Sequence, residues 1–276
     1  MTTVLDSPPP ELPVPEIGDR IGLRREGNIL VVTLAHPTNP MNVVDEAMHH
    51  QLHRLMMALR EERHARAILL RSSGRAFCAG GDFNWFPELR NIEAMEALRH
   101  DAKSIIWNLL DVRAPIVCAL NGHAMGLGAS IALLCDVIVM SSAAKLGDPH
   151  VSVGLVAGDG GAAIWPLAIG PALAKRYLLT GDALTAEQCR AVGLVTDVCE
   201  PDQLETVAMA LCERLAAQPP LAVQYTKAAV NQQVKLALAQ SFDISTQSEL
   251  VTLLSADHVE AVNAAVERRP GTYHGR

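Results

Sequence analysis

Two short glycine-rich segments contain the residues whose backbone could do chemistry. The first is Ala76-Phe-Cys-Ala-Gly-Gly-Asp82, and the second is Asn121-Gly-His-Ala-Met-Gly-Leu-Gly128. Glycine has no Cβ, so its backbone takes unusual angles and approaches a ligand closely. If the two turns meet, two backbone N–H groups can point at one substrate oxygen and stabilise negative charge on it. Taken singly, each segment is more typical of an ordinary tight turn.

A histidine and a nearby aspartate could activate water. His150 ends the segment Leu146-Gly-Asp-Pro-His150, and Asp159 lies in Gly158-Asp-Gly-Gly161. An imidazole titrates near neutral pH, and it is a better base when a carboxylate fixes its tautomer. We therefore predict His150 as a base that Asp159 orients. Two structural alternatives stay open, with His150 as a hydrogen-bonded loop residue and Asp159 as the N-cap of a helix.

Apolar patterning predicts the elements that must position these groups. A β-branched run precedes each glycine turn, and residues at helical spacing follow. The predicted strands are Asn28–Leu34, Ala67–Leu70, Pro115–Leu120 and Asp136–Met140, and the predicted helices are Val44–Leu59, Ile92–Leu109, Leu127–Leu134 and Gly161–Leu167. Strands and helices alternate to about residue 200, which is typical of an α/β fold.

The C-terminal part of the chain has a purely helical pattern. It extends from Leu204 to Glu267, with a break at Pro219-Pro220. Thr185-x-x-Gln188 and Asp202-x-x-Glu205 have the spacing of capping boxes that open helices. A helical segment of this size either covers the core or contacts a neighbouring subunit.

Composition excludes several classes of protein. Hydrophobic residues make up 49% of the 276-residue chain and charged residues 19%, which favours a globular protein over a disordered one. The net charge of −7 argues against a nucleic-acid surface, and no apolar run reaches membrane-spanning length.

The N-terminus lacks a signal-peptide pattern. The six cysteines lack metal-binding spacing, so we predict a cytoplasmic protein without a metal or redox cofactor.

Both glycine motifs resemble those of the crotonase superfamily, also called the enoyl-CoA hydratase/isomerase family. Phe77–Asp82 fits its F-x-A-G-x-D pattern, and Asn121–Gly128 fits N-G-x-A-x-G-x-G. Further matches are Leu178–Gly181, Ala191–Val195 and Glu267–Pro270. The resemblance implies an α/β fold, a crotonase-like spiral of ββα units with a helical C-terminal region. The expected division is a proline-rich tail (1–20), a ββα core (21–200) and a helical region for oligomerisation or cover (201–276).

The resemblance also implies a set of site residues. The backbone N–H groups of Gly81 and Leu127 correspond to the family's oxyanion hole. The expected substrate-binding residues are Asn42, Ala79, Asp82, Gly126 and Ser130. Asp82 is expected to stabilise the turn through hydrogen bonds rather than to take part in chemistry, and Ser130 is open to interpretation as a packing residue. The family further implies a homotrimer or homohexamer.

The chain departs from the hydratases at two positions. Where they carry two glutamates, this chain has Ser130 and His150. The His150–Asp159 pair instead resembles the β-diketone hydrolase branch, typified by 6-oxocamphor hydrolase. That branch also carries a C-terminal glutamate, and Glu249 falls near the matching place, although a solvated charge is the simpler interpretation of this residue. A further histidine of the branch is missing, because its position falls near Leu127.

Three functions stay open at this point. The first is hydrolytic cleavage of a carbon–carbon bond in a β-dicarbonyl compound or its thioester, with His150, Asp159 and Glu249 as catalytic residues. The second is hydration or isomerisation of an enoyl-CoA with a non-standard site. The third is a non-catalytic member that binds an acyl-CoA or a protein. Coenzyme A is expected only as part of a substrate, and Asn84 replaces a lysine that contacts it in some hydratases.

Overall fold

The computed structural model describes residues 16–276, which fold into strands and helices that alternate through the first part of the chain. The strands, in chain order, are β1 (Ile21–Glu26), β2 (Ile29–Leu34), β3 (Ala67–Ser72), β4 (Ile116–Leu120), β5 (Ala124–Met125), β6 (Val137–Ser141), β7 (Lys145–Gly147), β8 (Leu184–Thr185) and β9 (Asp197–Cys199). The helices are α1 (Glu46–Glu61), α2 (Ile92–Asp111), α3 (Leu127–Leu133), α4 (Gly161–Thr180), α5 (Ala186–Val192), α6 (Leu204–Ala216), α7 (Pro220–Leu253) and α8 (Ala256–Glu267). Two 3₁₀ helices span Phe86–Leu89 and His150–Val153. The predicted α/β fold is confirmed.

The main sheet has the strand order β1-β2-β3-β4-β6-β9. The β1–β2 pair is antiparallel, and the other pairs are parallel. All five residues of β4 are buried, and they alternate between two hydrophobic clusters on opposite faces of the sheet. A strand covered on both faces needs a continuous apolar run, which explains why Pro115–Leu120 was readable from the sequence.

A second, three-stranded sheet of order β5-β7-β8 lies beside the two glycine turns. Its strands have two or three residues each. Apolar alternation cannot be recognised over so few residues, so the sequence did not predict this sheet. Its position matters because β5 lies inside the second glycine motif and β7 leads to His150.

The helices that flank the turns begin at side-chain caps. Asp45 accepts a hydrogen bond from Met48 N at 2.7 Å at the start of α1, and Asn91 accepts one from Ala94 N at 2.9 Å at the start of α2. Such bonds satisfy backbone donors that lack an intrahelical partner. Both helices agree with the predicted spans to within two residues at the ends.

One predicted capping box is confirmed and the other is wrong. Thr185 and Gln188 exchange both bonds of the box at the start of α5. At the start of α6, however, Gln203 is the N-cap, and no side chain caps the helix. Glu205 instead pairs with Arg71 on β3, so its carboxylate is directed toward the sheet rather than toward the helix N-terminus.

The C-terminal helices cover the α/β core. α6 ends at Ala216 and α7 begins at Pro220, so the predicted break at the two prolines is confirmed. α6 packs on one face of the sheet, and α7 packs on α2 and α4. Lys227 of α7 pairs with Asp136 at 2.7 Å and donates to Ala114 O at 2.9 Å. These contacts fix α7 against the core and thereby fix the position of Glu249.

Part of the sequence-based description lies outside the described residues. The predicted proline-rich tail (1–20) lies mostly within residues 1–15, outside the described part of the chain. The three-part division of the chain stays a prediction. In residues 16–276, no helix combines the length and apolar character needed to cross a membrane.

Candidate active site

The two glycine turns are joined by backbone hydrogen bonds. Cys78 N donates to His123 O at 3.1 Å, and Met125 N donates to Cys78 O at 2.9 Å. The first turn is also bonded to the chain before α1, because Val44 N donates to Gly80 O at 2.8 Å. The predicted meeting of the two turns therefore occurs, through a parallel bridge between Cys78 and Ala124.

Two glycines are needed where the turns approach other groups. Gly126 has a φ of 53°, and a Cβ there would lie 3.1 Å from Cε1 of His150. A Cβ on Gly128 would lie 2.5 Å from the carbonyl oxygen of Cys78. The missing Cβ at Gly126 lets the imidazole of His150 pack against the second glycine turn. The missing Cβ at Gly128 lets α3 pack directly against the first glycine turn.

The N–H groups of Gly81 and Leu127 are available to a ligand. Within residues 16–276, neither donates a hydrogen bond to a protein acceptor. Leu127 is the first residue of α3, where the backbone N–H has no intrahelical acceptor and the helix dipole is positive. Both residues line the same cavity. Their role as an oxyanion hole stays a prediction.

His150 is oriented by an aspartate that sequence reasoning had not selected. Its Nδ1 lies 2.5 Å from Oδ1 of Asp148, so an Nδ1–H donates to this carboxylate and leaves Nε2 directed elsewhere. Asp148 is almost fully buried, two residues before His150 on the loop after β7. The available signal was the Asp-Pro-His sequence. In a tight turn, side chains two residues apart can come into contact, as those of Asp148 and His150 do.

Two further carboxyl groups face the other nitrogen of the imidazole. Oδ2 of Asp159 lies 3.5 Å from Nε2, and Oε1 of Glu249 lies 3.7 Å from it. Asp159 precedes α4, while Glu249 projects from α7. The sequence-based roles need two corrections. The carboxylate that orients His150 through a hydrogen bond is Asp148 rather than Asp159, which faces Nε2. Glu249 is not a solvated charge, because only 16% of its side chain is exposed.

The alternative role of Asp159 as a helix N-cap is also wrong. Gly160 occupies the N-cap position of α4, and no side chain caps this helix. The Asp159 side chain instead accepts a hydrogen bond from Ser130 Oγ at 3.1 Å. Ser130 is fully buried and does not line the cavity, so its position is that of a support for Asp159.

The cluster of one imidazole and three carboxyl groups shifts the pKa values of its members. Burial alone would lower the pKa of His150, but the charges of Asp148, Asp159 and Glu249 outweigh burial and hold it well above its usual value. Burial raises the pKa of Asp159 to about 6 and that of Glu249 to about 8. The site therefore holds its protons on groups that can exchange them near neutral pH.

A cavity of about 320 Å³ connects these groups. Its wall includes Ala79, Gly81, Gly126, Leu127, His150, Asp159 and Glu249 from the predicted site. Apolar side chains line most of the remainder, and the larger ones include Phe83, Trp85, Phe86, Leu89, Leu98, Leu155, Leu250 and Leu253. An apolar wall strengthens the electrostatic interactions among the few polar groups.

Two predicted substrate-binding residues support the first turn from outside the cavity. The Asn42 side chain is buried, accepts a hydrogen bond from His36 N at 2.7 Å and donates to Ser72 Oγ at 2.5 Å. Asp82 accepts from the backbone and side chain of Asn84 at 2.9 Å each, which agrees with its expected role in the turn. For Asn42, direct substrate contact stays a prediction without geometric support.

His49 is a cavity residue that the sequence did not single out. It lies on the buried face of α1, its ring centroid is 5.6 Å from that of Trp85, and burial lowers its pKa to about 4. It therefore presents a neutral imidazole to the cavity. The available signal was a histidine within an apolar helical stripe, between Met48 and Leu52.

The buried cluster has ligand atoms that a cation could use. Asp148, His150 and Asp159 each place one such atom within 4.8 Å of the others. The expectation that the site uses no metal or redox cofactor stays a prediction.

The fold and the site together define a crotonase-type enzyme. Residues 24–276 match the Enoyl-CoA hydratase/isomerase family, so the chain belongs to this family of enzymes. The resemblance inferred from the two glycine motifs is confirmed.

The relatives and solved structures that this chain resembles are named for different reactions. The 2,3-dehydroadipyl-CoA hydratase of Escherichia coli is 31% identical over 255 residues, which cover 91% of this chain and 97% of the relative. An enoyl-CoA hydratase/isomerase from Mycobacterium paratuberculosis has a TM-score of 0.84 at 35% identity, covering 88% of this chain and 97% of its own. A beta-diketone hydrolase from the cyanobacterium Anabaena, bound to (S)-3-oxocyclohexyl acetic acid, has a TM-score of 0.82 at 28% identity, with coverages of 88% and 98%.

Proposed function

We propose that this enzyme hydrolyses a carbon–carbon bond between two carbonyl groups. The observation that carries the proposal is the imidazole of His150, held on Nδ1 by Asp148 at 2.5 Å and faced on Nε2 by Asp159 and Glu249. A histidine in such surroundings is suited to activating water. The similar fold of the beta-diketone hydrolase from Anabaena supports this reaction class.

The reaction needs four changes of bonding. Water loses a proton to the His150–Asp159 pair, and its oxygen attacks one carbonyl carbon. The bond between that carbon and the central carbon breaks, and its electron pair forms an enolate. The N–H groups of Gly81 and Leu127 bind the enolate oxygen. The cluster then returns a proton to the central carbon, which yields a carboxylic acid and a ketone.

The pKa values determine which group holds the proton at each stage. His150 is charged when Asp148, Asp159 and Glu249 are all ionised, because its pKa is raised. It can act as a base only when a proton resides on a neighbouring carboxyl group. The raised pKa of Glu249 suits it to hold that proton at neutral pH and to donate it to the enolate carbon.

Replacement of His150 by alanine tests the assignment. We expect the loss of turnover of β-diketones by on the order of 10³-fold, with the fold retained. The matched control is His64→Ala, at an exposed position in the loop after α1, which should leave turnover unchanged. Full activity of the His150 variant in a coupled acid-release assay would reject the mechanism.

Hydration of an enoyl-CoA is the second candidate, and one feature of the site favours it. The chain lacks the two glutamates at the usual positions, yet Asp159 and Glu249 provide a pair of carboxyl groups next to one imidazole. Such a pair can hold and activate one water molecule. The 2,3-dehydroadipyl-CoA hydratase of Escherichia coli is a relative with this type of reaction.

A direct comparison of substrates separates the two candidates. The enzyme would be incubated with cyclic β-diketones and, separately, with crotonyl-CoA and longer enoyl-CoAs. Rapid loss of the enoyl absorbance without diketone cleavage would establish hydration and exclude the first proposal. The same experiment tests whether coenzyme A enters as part of the substrate, for which Arg99 is a cationic residue of the cavity wall.

We also propose a homotrimer or homohexamer. Exposed apolar side chains recur along α7, and they are Leu221, Tyr225, Val230, Leu236, Ile244 and Val251. Exposed apolar surface of this kind is typical of an interface between subunits. Light scattering coupled to size-exclusion chromatography measures the assembly, and a monomer across micromolar concentrations would contradict it.

A further inference from the structure

A second group of potential metal ligands lies outside the cavity, where α1 and α2 pack together. In the part of the chain that the structure describes, His53, His100 and Asp101 each place one ligand atom within 4.8 Å of the others. Nδ1 of His53 lies 3.6 Å from Oδ1 of Asp101. Nδ1 of His50, three residues earlier on α1, lies 3.3 Å from the other oxygen of the same carboxylate.

The three imidazole rings lie so close together that they would repel one another if all were protonated. The centroids of His50 and His53 are 5.9 Å apart, and those of His53 and His100 are 5.7 Å apart. The ring nitrogens of His50 and His53 also lie near the two oxygens of the Asp101 carboxylate.

An unsatisfied polar atom lies at the centre of this group. Nδ1 of His53 is buried and has no hydrogen-bond partner within residues 16–276. Buried polar atoms are nearly always paired, and an unpaired one can mark the place of an ion. The side chain of His53 is 13% exposed and that of Asp101 17%, while His50 is 61% exposed. The group is therefore half-buried, with an open side through which an ion can enter.

We infer that His53, His100 and Asp101, completed by His50, bind a divalent transition-metal ion of the Zn²⁺ class between α1 and α2. Imidazole nitrogens with one carboxylate oxygen are borderline ligands that suit Zn²⁺ and Co²⁺. Mg²⁺ and Ca²⁺ prefer sets of oxygen ligands and are excluded by three imidazoles. A tetrahedral ion needs ligand atoms about 3.3 Å apart, which rotation of these half-exposed side chains can provide.

The site would connect two walls of the cavity. His49 on α1 and Leu98, Arg99 and Ala102 on α2 all line that cavity. An ion held by the adjacent residues fixes the separation of these two helices. The inference does not depend on which reaction the cavity carries out.

Titration of the metal-free chain with Zn²⁺ by isothermal calorimetry tests the inference, with a chain that carries no polyhistidine tag. We expect one Zn²⁺ per chain, and Co²⁺ should give the visible absorption of tetrahedral coordination. His53→Ala and His100→Ala should each weaken binding by at least about tenfold. His64→Ala is the matched control on the loop after α1 and should bind as the parent does. Mg²⁺ should not bind.

Two further variants keep the test decisive. His100 is exposed, so its replacement should not disturb folding even if that of His53 does. His150→Ala reports on the buried cluster in the cavity, and it should retain the Zn²⁺ equivalent. The inference is overturned if the parent shows no saturable binding. It is also overturned if the His53 and His100 variants bind as the parent does, or if binding is lost in His150→Ala and kept in His53→Ala.

Discussion

Two histidine–carboxylate clusters in this enzyme differ in both burial and stoichiometry. In the cavity, one imidazole meets three carboxyl groups, and none of the four side chains is more than 16% exposed. Between α1 and α2, three imidazoles meet one carboxylate, and His50 and His100 are exposed although His53 and Asp101 are not. The pKa of His150 is raised well above the usual value, whereas that of His53 is lowered.

The comparison indicates that the charges around a histidine decide whether its imidazole is protonated, and hence which chemistry it supports. An excess of carboxyl groups keeps protons at His150 and makes the cavity a place for proton transfer. Burial and the neighbouring imidazoles favour the neutral form of His53, in which one ring nitrogen has a lone pair that a metal ion can bind. The same two residue types therefore support different chemistry in one chain.

Among variants that keep the imidazole, the largest expected effect comes from removing the charge that orients His150. Asp148→Asn keeps the shape of the side chain but loses the negative charge near Nδ1. We expect kcat to fall by on the order of 10²-fold, with little change in KM, because the imidazole loses the acceptor that fixes its tautomer and orientation. The pH profile of kcat should shift with it.

The matched control is Asp101→Asn, which removes the carboxylate of the other cluster. With a chelator present for both proteins, its kcat should equal that of the parent enzyme, because Asp101 does not line the cavity. Equal losses in the two variants, or a parent-like pH profile in Asp148→Asn, would show that the contrast between the clusters has no catalytic meaning.

A smaller effect is expected from Glu249→Gln. Burial raises the pKa of Glu249 to about 8, so this group is protonated below that pH and can act as an acid. We expect about a tenfold loss of kcat and the disappearance of the activity decline above pH 8. Steady-state rates from pH 6 to 10 measure both, with Glu93→Gln on the exposed start of α2 as a control. An unchanged alkaline limb would remove Glu249 from the mechanism.

The stability of the fold should respond to alkaline pH through the same residue. A group whose pKa is higher in the folded than in the unfolded state binds more protons when folded, so stability falls as pH rises between the two values. For Glu249 this window extends from about 4.3 to about 8. Relative to the parent, Glu249→Gln should gain at least about 1 kcal/mol of unfolding free energy between pH 5.5 and 9. Urea unfolding at the two pH values measures the gain. The same change in unfolding free energy with pH in the parent and in Glu249→Gln would contradict the prediction.

The smallest effect is expected at acidic pH in the other cluster. The lowered pKa of His53 means that the folded protein binds fewer protons there, so stability is lost as pH falls below about 6.5. His53→Gln should reduce this loss by less than about 1 kcal/mol between pH 7 and 5, measured in the presence of a chelator. His64→Gln serves as the comparison, and a larger acid loss in His53→Gln than in the parent would reverse the assignment.

The main strands and helices could be predicted because their signals are local. β3 and β4 are apolar runs covered on both faces, and α1 and α2 repeat their apolar residues at helical spacing. The short strands of the second sheet escaped prediction because two or three residues carry no period. The false capping box at Asp202 shows a local motif overruled by a tertiary contact, since Glu205 pairs with Arg71.

The candidate site was only partly accessible to sequence reasoning. The glycine motifs located both turns, and the pairing of His150 with Asp159 located part of the proton-transfer cluster. The choice of which carboxylate faces which nitrogen depended on the loop after β7, where Asp148 turns back onto Nδ1. Ser130 was expected to bind substrate or to pack, and its hydroxyl instead donates to Asp159 at 3.1 Å.

By itself, the sequence determined the α/β alternation, the family and the backbone turns that glycine permits, because these follow from periodicity and from the absence of a Cβ. Tertiary structure alone decided that Glu249 of α7 reaches a loop residue, His150, at 3.7 Å. It also decided that His50 and His53 of α1 meet Asp101 of α2. The pKa of a side chain depends on the charges and burial around it, and segments distant in sequence provide these only after they pack together.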